Sequence, residues 1–332
     1  MRVRIVCYED LDQWILGKFA KRLRDGLLDQ GIAVDVAKTP DPSADVNHHI
    51  IYLDRIGRAG QIDTAMVTHV DEIGKVRLLR GMMGDLDAAV CMSRQAVDEL
   101  AAQGLPRSRL IAIQPAHDGT LAPRPMVFGI TSKVHADGRK REWMLAEVAA
   151  ELDPSEARFR IMGEGWEPQI ANLQNRGFVV EHEPAFTAEV YQAWMPTLDY
   201  YLYFGCDEGS MGYLDAVAAG VKTIVTAQGF HLDVPGGITH PFTSVAELRA
   251  VITAIVRDRR RPLAGIAGWT WSAYARRHRD LWEHLLAQPA AARSVPDDAA
   301  PGNGLGIAAR CGVARRLLLG SLRSRRARGR LW

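Results

Sequence analysis

The residues best suited to chemistry lie in one stretch, YYLYFGCDEGSMGYLDAVAAG, which spans residues 200–220. An apolar run is followed directly by Asp207 and Glu208, and a predicted helix a few residues later carries Asp215. The free backbone amides at the start of such a helix attract anions such as phosphate. Here those amides belong to Ser210, Met211 and Gly212. Asp215, about one turn into the helix, could accept hydrogen bonds from sugar hydroxyls, although a capped helix with surface acids has the same pattern.

A second cluster supplies positive charge. The segment FGITSKVHADGRKRE, residues 128–142, contains Lys133, Arg139 and Lys140 just after a predicted strand. Fixed positive charge at a strand end can bind an anionic group and stabilise negative charge that develops on it. Lysine acts there as a point charge, without the two-pronged geometry of arginine. A solvated basic loop before a helix is the alternative interpretation.

Other candidates lie in the first third of the chain. Gly17 follows the first predicted strand and would let a ligand approach the backbone closely. His69 follows a later strand and is either a candidate functional residue or an ordinary hydrogen-bonded histidine. The runs Asp10–Asp12 and Asp85–Asp87 resemble short metal-binding motifs that arise often by chance. We therefore expect no metal site.

The elements that must position these residues alternate between strand and helix. In the first half the predicted strands are Val3–Cys7, Ile32–Val36, Ile50–Leu53, Ala65–Val70, Ala88–Met92 and Leu110–Ile113. In the second half they are Met126–Ile130, Phe159–Met162, Phe178–Val180, Tyr200–Tyr203 and Thr223–Val225. The predicted helices include Trp14–Gln30, Ala188–Trp194, Met211–Ala219 and Trp271–Leu286. This alternation predicts an α/β fold with parallel, doubly wound sheets.

The run QPAHDGTLAPRP, residues 114–125, indicates a break between two such domains. The predicted division is an N-terminal domain 1–118, a linker 119–125, a C-terminal domain 126–270, a C-terminal helix 271–288, and a flexible connector with a basic tail 289–332. Two Rossmann-like domains of this kind are expected to face each other across a cleft. Ligands bind at the carboxyl ends of the strands of such sheets, where the residues described above lie.

The stretch around Asp207 resembles the donor-binding motif of retaining GT-B glycosyltransferases, in particular family 4, also called glycosyl transferases group 1. In that motif two acids are separated by seven residues, and a helix of small residues ends in glycine. Asp207 and Asp215 have this spacing, and the helix ends at Gly220. The family's first acid is usually glutamate followed by glycine, which matches Glu208 with one residue fewer between the acids. The register therefore leaves both Asp207 and Glu208 as candidates.

The resemblance implies a nucleoside-diphosphate sugar as donor substrate, no cofactor and no bound metal, with retention of anomeric configuration. Asp215 would bind the ribose, Asp207 or Glu208 the transferred sugar, and His69 would lie near it. Lys133, Arg139 and Lys140 would bind the diphosphate, and the loop that contains Gly17 would lie near the donor phosphates. The acceptor would be a glycan or a lipid-linked molecule, in keeping with envelope polysaccharide synthesis. Two alternatives remain: a GT-B-like sugar-nucleotide epimerase and a non-catalytic nucleotide-sugar-binding protein.

Composition excludes several other classes of protein. Of the 332 residues, 47% are hydrophobic and 24% charged, so the chain can bury a core. No apolar run approaches the roughly 18 residues of a transmembrane helix, and the N-terminus lacks the features of a signal peptide. The four cysteines are far apart, which fits reduced thiols in the cytoplasm. The chain contains no Walker A or GxSxG motif and no GxGxxG after the first strand, so a hydrolase or dehydrogenase is not supported.

The charge is unevenly distributed. The whole chain carries +2, but residues 299–332 contain eight arginines and no Asp, Glu or Lys, which leaves the preceding residues at −6. The segment 307–332 mixes arginines with leucines, a pattern that favours binding to an anionic membrane surface at the inner face of the membrane. A solvated basic tail is the alternative. Nucleic-acid binding is not expected, because the tail lacks interleaved aromatic residues apart from Trp332.

Overall fold

The computed structural model describes residues 1–55, 57–68 and 70–296. These residues form two compact units. The first unit contains Met1–Gly119 together with the described residues from Ala267 onward, and the second contains Thr120–Ile266. His69 and the basic tail, residues 299–332, lie outside the described residues. Of the helices in the described ranges, none has the length and apolar character needed to cross a membrane.

The first unit is built on a parallel sheet of six strands. They are β1 (Arg2–Val6), β2 (Ala33–Ala37), β3 (Val46–His49), β4 (Ile62–Val67), β5 (Ala88–Cys91) and β6 (Leu110–Ala112). Their order in the sheet is β2-β1-β3-β4-β5-β6. The connecting helices are α1 (Ile15–Leu28), α2 (Ile73–Met82) and α3 (Arg94–Ala102). Ser93 is the N-cap of α3, since its hydroxyl accepts a hydrogen bond from the Ala96 amide at 3.1 Å.

The second unit repeats this architecture. Its strands are β7 (Met126–Thr131), β8 (Ala157–Met162), β9 (Val179–Glu183), β10 (Tyr200–Tyr203), β11 (Lys222–Thr226) and β12 (His240–Phe242), in the sheet order β12-β11-β10-β7-β8-β9. Its helices are α4 (Met144–Ala150), α5 (Glu167–Asn175), α6 (Ala188–Trp194), α7 (Met211–Ala218) and α8 (Val245–Ile266). All paired strands in both sheets are parallel. The predicted fold class, two doubly wound Rossmann-like domains, is confirmed.

The last helix, α9 (Trp271–Leu286), belongs to the first unit, where it packs on α1. The Phe19 ring meets the Trp271 ring edge-on at 5.3 Å between centroids. The two helices approach so closely at Gly26 that an added methyl group would lie 2.7 Å from the Ala275 Cβ. The apolar periodicity of both helices is therefore satisfied inside one core.

The strands of the second sheet send alternate side chains to opposite faces. In β10, Tyr200 and Leu202 join the core on one face, and Tyr201 and Tyr203 join the core beneath α7 on the other. Buried tyrosine hydroxyls require hydrogen-bond partners. Tyr201 and Tyr203 find theirs at the carboxyl edge of the sheet, next to the candidate residues.

Two sequence predictions are wrong in their placement. The strand predicted at Ile50–Leu53 lies instead at Val46–His49, as β3. Three of its four buried residues are polar, so the run lacks the apolar pattern of a buried strand. The segment 289–332, predicted to be flexible from its start, is packed on the first unit through residue 296. Arg293, which is 9% exposed, pairs with buried Asp87 at 3.2 Å, and the Val295 amide bonds to the Ser108 carbonyl. This buried ion pair fixes residues that composition alone marks as a linker.

Candidate functional site

The second unit contains a cavity of about 580 Å³ that opens where β7 and β8 end and α7 begins. This volume lies within the range of small-molecule sites, roughly 300–1,000 Å³. The lining residues include Thr131, Lys133, Glu164, Phe186, Tyr191, Met211, Gly212 and Asp215. The cavity therefore brings together four residues of the sequence prediction: Lys133, Met211, Gly212 and Asp215.

The start of α7 forms one wall of the cavity. This first turn packs so closely on the sheet that it requires a glycine at position 212. A methyl group at Gly212 would lie 2.3 Å from Thr131 Oγ1 and 2.5 Å from Tyr201 Oη. Only glycine lets the first helical turn come this close to the sheet. The first amides of a helix have no partner within the helix, so those of Met211 and Gly212 give this wall a partial positive charge.

Ser210 takes the N-cap position without capping the helix by its side chain. Its hydroxyl is buried and lies 3.1 Å from Tyr201 Oη, which in turn lies 3.1 Å from Thr131 Oγ1. The Ser210 side chain therefore does not cap α7, because its hydroxyl is the partner of the buried tyrosine hydroxyl. The chain of hydroxyls ties the helix start to β7 and β10.

A glycine brings the loops after β7 and β8 together at the opposite wall. Gly163 has φ +129°, and a methyl group there would lie 2.3 Å from the Ser132 carbonyl oxygen. The Trp166 indole N–H donates to the same oxygen at 2.6 Å. This crossing places Lys133 beside Glu164, and the two form an ion pair in which each side chain is about 60% exposed. An exposed pair of this kind contributes little to stability, so an entering anion can compete for Lys133.

The other predicted basic residues are already paired. Lys140 is 6% exposed, and its ammonium donates to Asp207 Oδ2 at 2.9 Å, to Oδ1 at 3.0 Å and to Tyr203 Oη at 2.9 Å. Arg139 Nε lies 3.2 Å from Asp207 Oδ2. The prediction that Arg139 and Lys140 bind a diphosphate stays a prediction, and Asp207 holds both of them in this structure.

The electrostatics of this cluster follow from its contacts. Burial acts to raise the pKa of Asp207, but hydrogen bonds from Tyr203 and Lys140 outweigh it and hold the pKa below its ordinary value. Burial and the adjacent Asp207 carboxylate raise the pKa of Tyr203 above that of a free tyrosine. Asp207 is therefore a carboxylate and Tyr203 a neutral donor at neutral pH.

Glu208, the next residue, makes different contacts. It is exposed, and it lies over Gly229, where an added methyl group would be 2.5 Å from its Cγ. Gln228, beside that glycine, donates from Nε2 to the carbonyls of Gly205 and Asp207 at 2.7 and 2.9 Å. The two adjacent acids are thus separated: Asp207 lies in the charged cluster, and Glu208 on the surface of the neighbouring loop.

Sequence reasoning missed Arg141, which orders the ends of β10 and β11. Its Nε donates to the Phe204 carbonyl at 2.5 Å, and its Nη2 donates to Thr226 Oγ1 at 2.7 Å. Among the described residues it is the one non-glycine with a positive φ, +47°. Such a conformation costs energy, which the two hydrogen bonds offset. The nearest sequence signal was the basic run Gly138–Arg141, but nothing in it distinguished a structural arginine from a ligand-binding one.

Tyr191 of α6 was also missed. Its hydroxyl donates to Asp215 Oδ2 at 2.5 Å, and its ring lies 5.4 Å from that of Phe186. Asp215 itself is exposed at the cavity. No local pattern links Tyr191 with a residue 24 positions away.

Gly17 lies in the first unit, in the first turn of α1. A methyl group there would lie 1.8 Å from the Asp10 carbonyl oxygen. Glu9 Oε2 accepts hydrogen bonds from the amides of Leu16 and Gly17 at 3.1 and 3.3 Å. The contact between Gly17 and a donor phosphate stays a prediction. In this structure the Gly17 amide donates to the Glu9 carboxylate instead.

The first unit has its own cavity, of about 460 Å³, at the ends of β4 and β5. Its lining is mostly apolar, and the side chains come from α1, α2 and α3 as well as from the strand ends. They include Ile15, Phe19, Met66, Val76, Met92, Ala96 and Leu100. In the described part of the chain, no group of three or more His, Cys, Asp or Glu residues could hold a metal ion.

The chain matches no protein-family model and no curated protein. Several solved structures are similar to it. Sucrose-phosphate synthase from Thermosynechococcus elongatus is 11% identical, with 86% of this chain and 98% of that chain covered and a TM-score of 0.35. WaaG, a glycosyltransferase involved in lipopolysaccharide biosynthesis, is 13% identical over 84% and 95% of the chains, with a TM-score of 0.35.

AviGT4, a glycosyltransferase involved in avilamycin A biosynthesis, is 17% identical over 87% and 98% of the chains, with a TM-score of 0.31. The solved structures similar to this chain therefore include glycosyltransferases.

Proposed function

We propose that this protein is a glycosyltransferase that moves a sugar from a nucleoside-diphosphate sugar to an acceptor hydroxyl. One observation carries the proposal: a cavity at the carboxyl edge of the second sheet combines Lys133, the first amides of α7 and the Asp215 carboxylate. A cation and helix amides suit a diphosphate, and a carboxylate suits the hydroxyls of a ribose. A nucleoside diphosphate carries both groups.

The residues have distinct proposed roles. Lys133 and the amides of Met211 and Gly212 bind the diphosphate, and Asp215 accepts hydrogen bonds from the ribose. Glu208 is the acid proposed to contact the transferred sugar, since Asp207 is already bonded to Lys140 and Arg139. Lys140 and Arg139 supply positive charge behind Gly209, whose added methyl group would lie 3.1 Å from Lys140 Nζ.

In the proposed reaction, the bond between the anomeric carbon and the phosphate oxygen breaks, and a bond from that carbon to the acceptor oxygen forms. The acceptor proton passes to the leaving diphosphate, so the products are a glycoside and a nucleoside diphosphate. Fixed charge near the diphosphate lowers the barrier because it stabilises the departing anion. Retention of configuration without a metal ion or cofactor is part of the proposal.

The acceptor is proposed to bind the first unit. Its apolar cavity suits an acceptor with an apolar portion, such as a lipid-linked molecule or glycan of envelope polysaccharide synthesis. Binding of segment 307–332 to anionic lipid would keep such an enzyme at the inner face of the membrane.

The test is incubation of the full chain with a panel of nucleotide sugars and analysis of the products. Transfer to an added acceptor, or slow hydrolysis of one donor, supports the proposal. An isomerised donor sugar would instead indicate an epimerase, and binding without any product would indicate a non-catalytic protein. A thermal-shift screen against UDP, GDP, ADP and CMP identifies the base beforehand, because a selective ligand raises the melting temperature by mass action.

A further inference from the structure

Tyr191 links two sides of the cavity through one hydrogen bond. It projects from α6, lines the cavity and donates its hydroxyl proton to Asp215 Oδ2 at 2.5 Å. Within residues 1–55, 57–68 and 70–296, no other side chain donates a hydrogen bond to Asp215. Burial, and then the hydrogen bond to Asp215, raise the pKa of Tyr191 above its ordinary value, so the phenol stays protonated and remains a donor.

The tyrosine is held in place by its neighbours. Its ring contacts that of Phe186, with centroids 5.4 Å apart and planes inclined by 51°. It is partly buried, whereas Phe186 is 71% exposed at the cavity. A ring supported in this way keeps its hydroxyl at a fixed position relative to α7.

The consequence concerns the exposed carboxylate of Asp215. An unsupported aspartate on a helix surface samples several side-chain rotamers, and a ligand that needs one of them must select it. A donor on Oδ2 restricts the side chain and leaves Oδ1, which has two lone pairs, for a ligand. Two vicinal hydroxyls, like those of ribose, match this free acceptor.

We propose that Tyr191 is a positioning residue that holds Asp215 ready for the 2′ and 3′ hydroxyls of a ribose, so that the cavity selects ribonucleotides over 2′-deoxyribonucleotides. The proposal rests on the proposed function, since it assumes that the cavity binds a nucleoside diphosphate. It adds a residue from a different element, α6, to the recognition of the ligand.

The experiment measures the affinity of the full chain by isothermal titration calorimetry for the tightest binder among UDP, GDP and ADP, and for its 2′-deoxy counterpart. The wild-type chain is expected to prefer the ribonucleotide. Tyr191→Phe should weaken ribonucleotide binding about five- to tenfold and change deoxyribonucleotide binding by less than about twofold. In an Asp215→Asn background, Tyr191→Phe should have no further effect, because the two residues act through one contact.

Tyr201→Phe is the matched control. It also removes a tyrosine hydroxyl near the cavity, but one bonded to Thr131 and Ser210 rather than to Asp215. It should leave the ratio of the two affinities as in the wild type. The inference is overturned if Tyr191→Phe keeps the wild-type ratio, or if Tyr201→Phe lowers the ratio equally. If the wild type binds none of the nucleotides, the proposed function fails and the inference fails with it.

Discussion

Replacing Asp207 by asparagine should destabilise the protein, whereas replacing Glu208 by glutamine should not. In Asp207→Asn, the Lys140 ammonium, which is 6% exposed, loses its counter-ion. The hydroxyl of Tyr203 remains as a hydrogen-bond acceptor for it. Removing one partner of a buried ion pair costs about 3–5 kcal/mol. Asp207 is 28% exposed, and asparagine keeps one acceptor oxygen, so the cost should be smaller here. We expect the free energy of unfolding to fall by roughly 2 kcal/mol.

The assay is calorimetric unfolding of the full chain and of both variants. For a unit of this size, 2 kcal/mol lowers the melting temperature by about 4–8 °C. Glu208→Gln changes an exposed side chain and should stay within about 0.5 kcal/mol of the wild type. Because the pKa of Asp207 is held low in the folded state, its contribution is complete above the unfolded value of about 3.9 and is lost as the pH falls through the folded value. Equal melting temperatures for Asp207→Asn and wild type at pH 7 would refute the reasoning.

Three further predictions concern the cation at the cavity, the core of the first unit and the tail. Lys133→Ala should weaken nucleoside-diphosphate binding, by less in high salt where its charge is screened; unchanged affinity in a titration at low salt would contradict its role. Burial lowers the pKa of His278 to about 4, and that of the neighbouring His48 falls as well, so both stay neutral when folded. The contribution of these two histidines to the free energy of unfolding is therefore complete above about pH 6.5 and should be lost as the pH drops toward 4. Urea unfolding across that range measures it, and a free energy that does not change with pH would contradict the prediction. Deleting residues 299–332 should preserve nucleotide binding but abolish salt-sensitive sedimentation with anionic liposomes, and a full chain that ignores such liposomes would exclude a membrane role for the tail.

The fold could be predicted from sequence where apolar strands alternate with amphipathic helices. Strand β10 and helices α6 and α9 have the predicted bounds, because their apolar residues pack on the elements next to them. Strand β3 was placed too late, since its buried side chains include His48, whose ring nitrogen lies 2.9 Å from Thr64 Oγ1. A polar strand is stable only with partners elsewhere in the fold, and a local pattern does not contain them.

The sequence predicted where the loops of the candidate site lie, but it predicted fewer of the side-chain contacts within them. The spacing of glycines and acids located the end of β10 and the start of α7, because backbone geometry demands small residues there. Tyr191 and Arg141 were not predicted, since their hydrogen-bond partners lie 24 and 63 or more residues away in the sequence. Contacts of that kind follow from topology rather than from neighbouring residues.

The choice between Asp207 and Glu208 shows why spacing alone was insufficient. Both acids follow the same strand, and either can be aligned with Asp215 in the two-acid motif. Two adjacent residues after a strand end need not share an environment, and here Lys140 and Arg139 reach only the first of them. A carboxylate bonded to two cations must lose those contacts before it can bind a sugar, and this loss weakens binding. In the part of the chain that the structure describes, Glu208 has no such contacts to lose. Glu208 is therefore the acid whose replacement should reduce turnover without reducing stability, and a Glu208→Gln variant with the full transfer rate would exclude it as the sugar-binding acid.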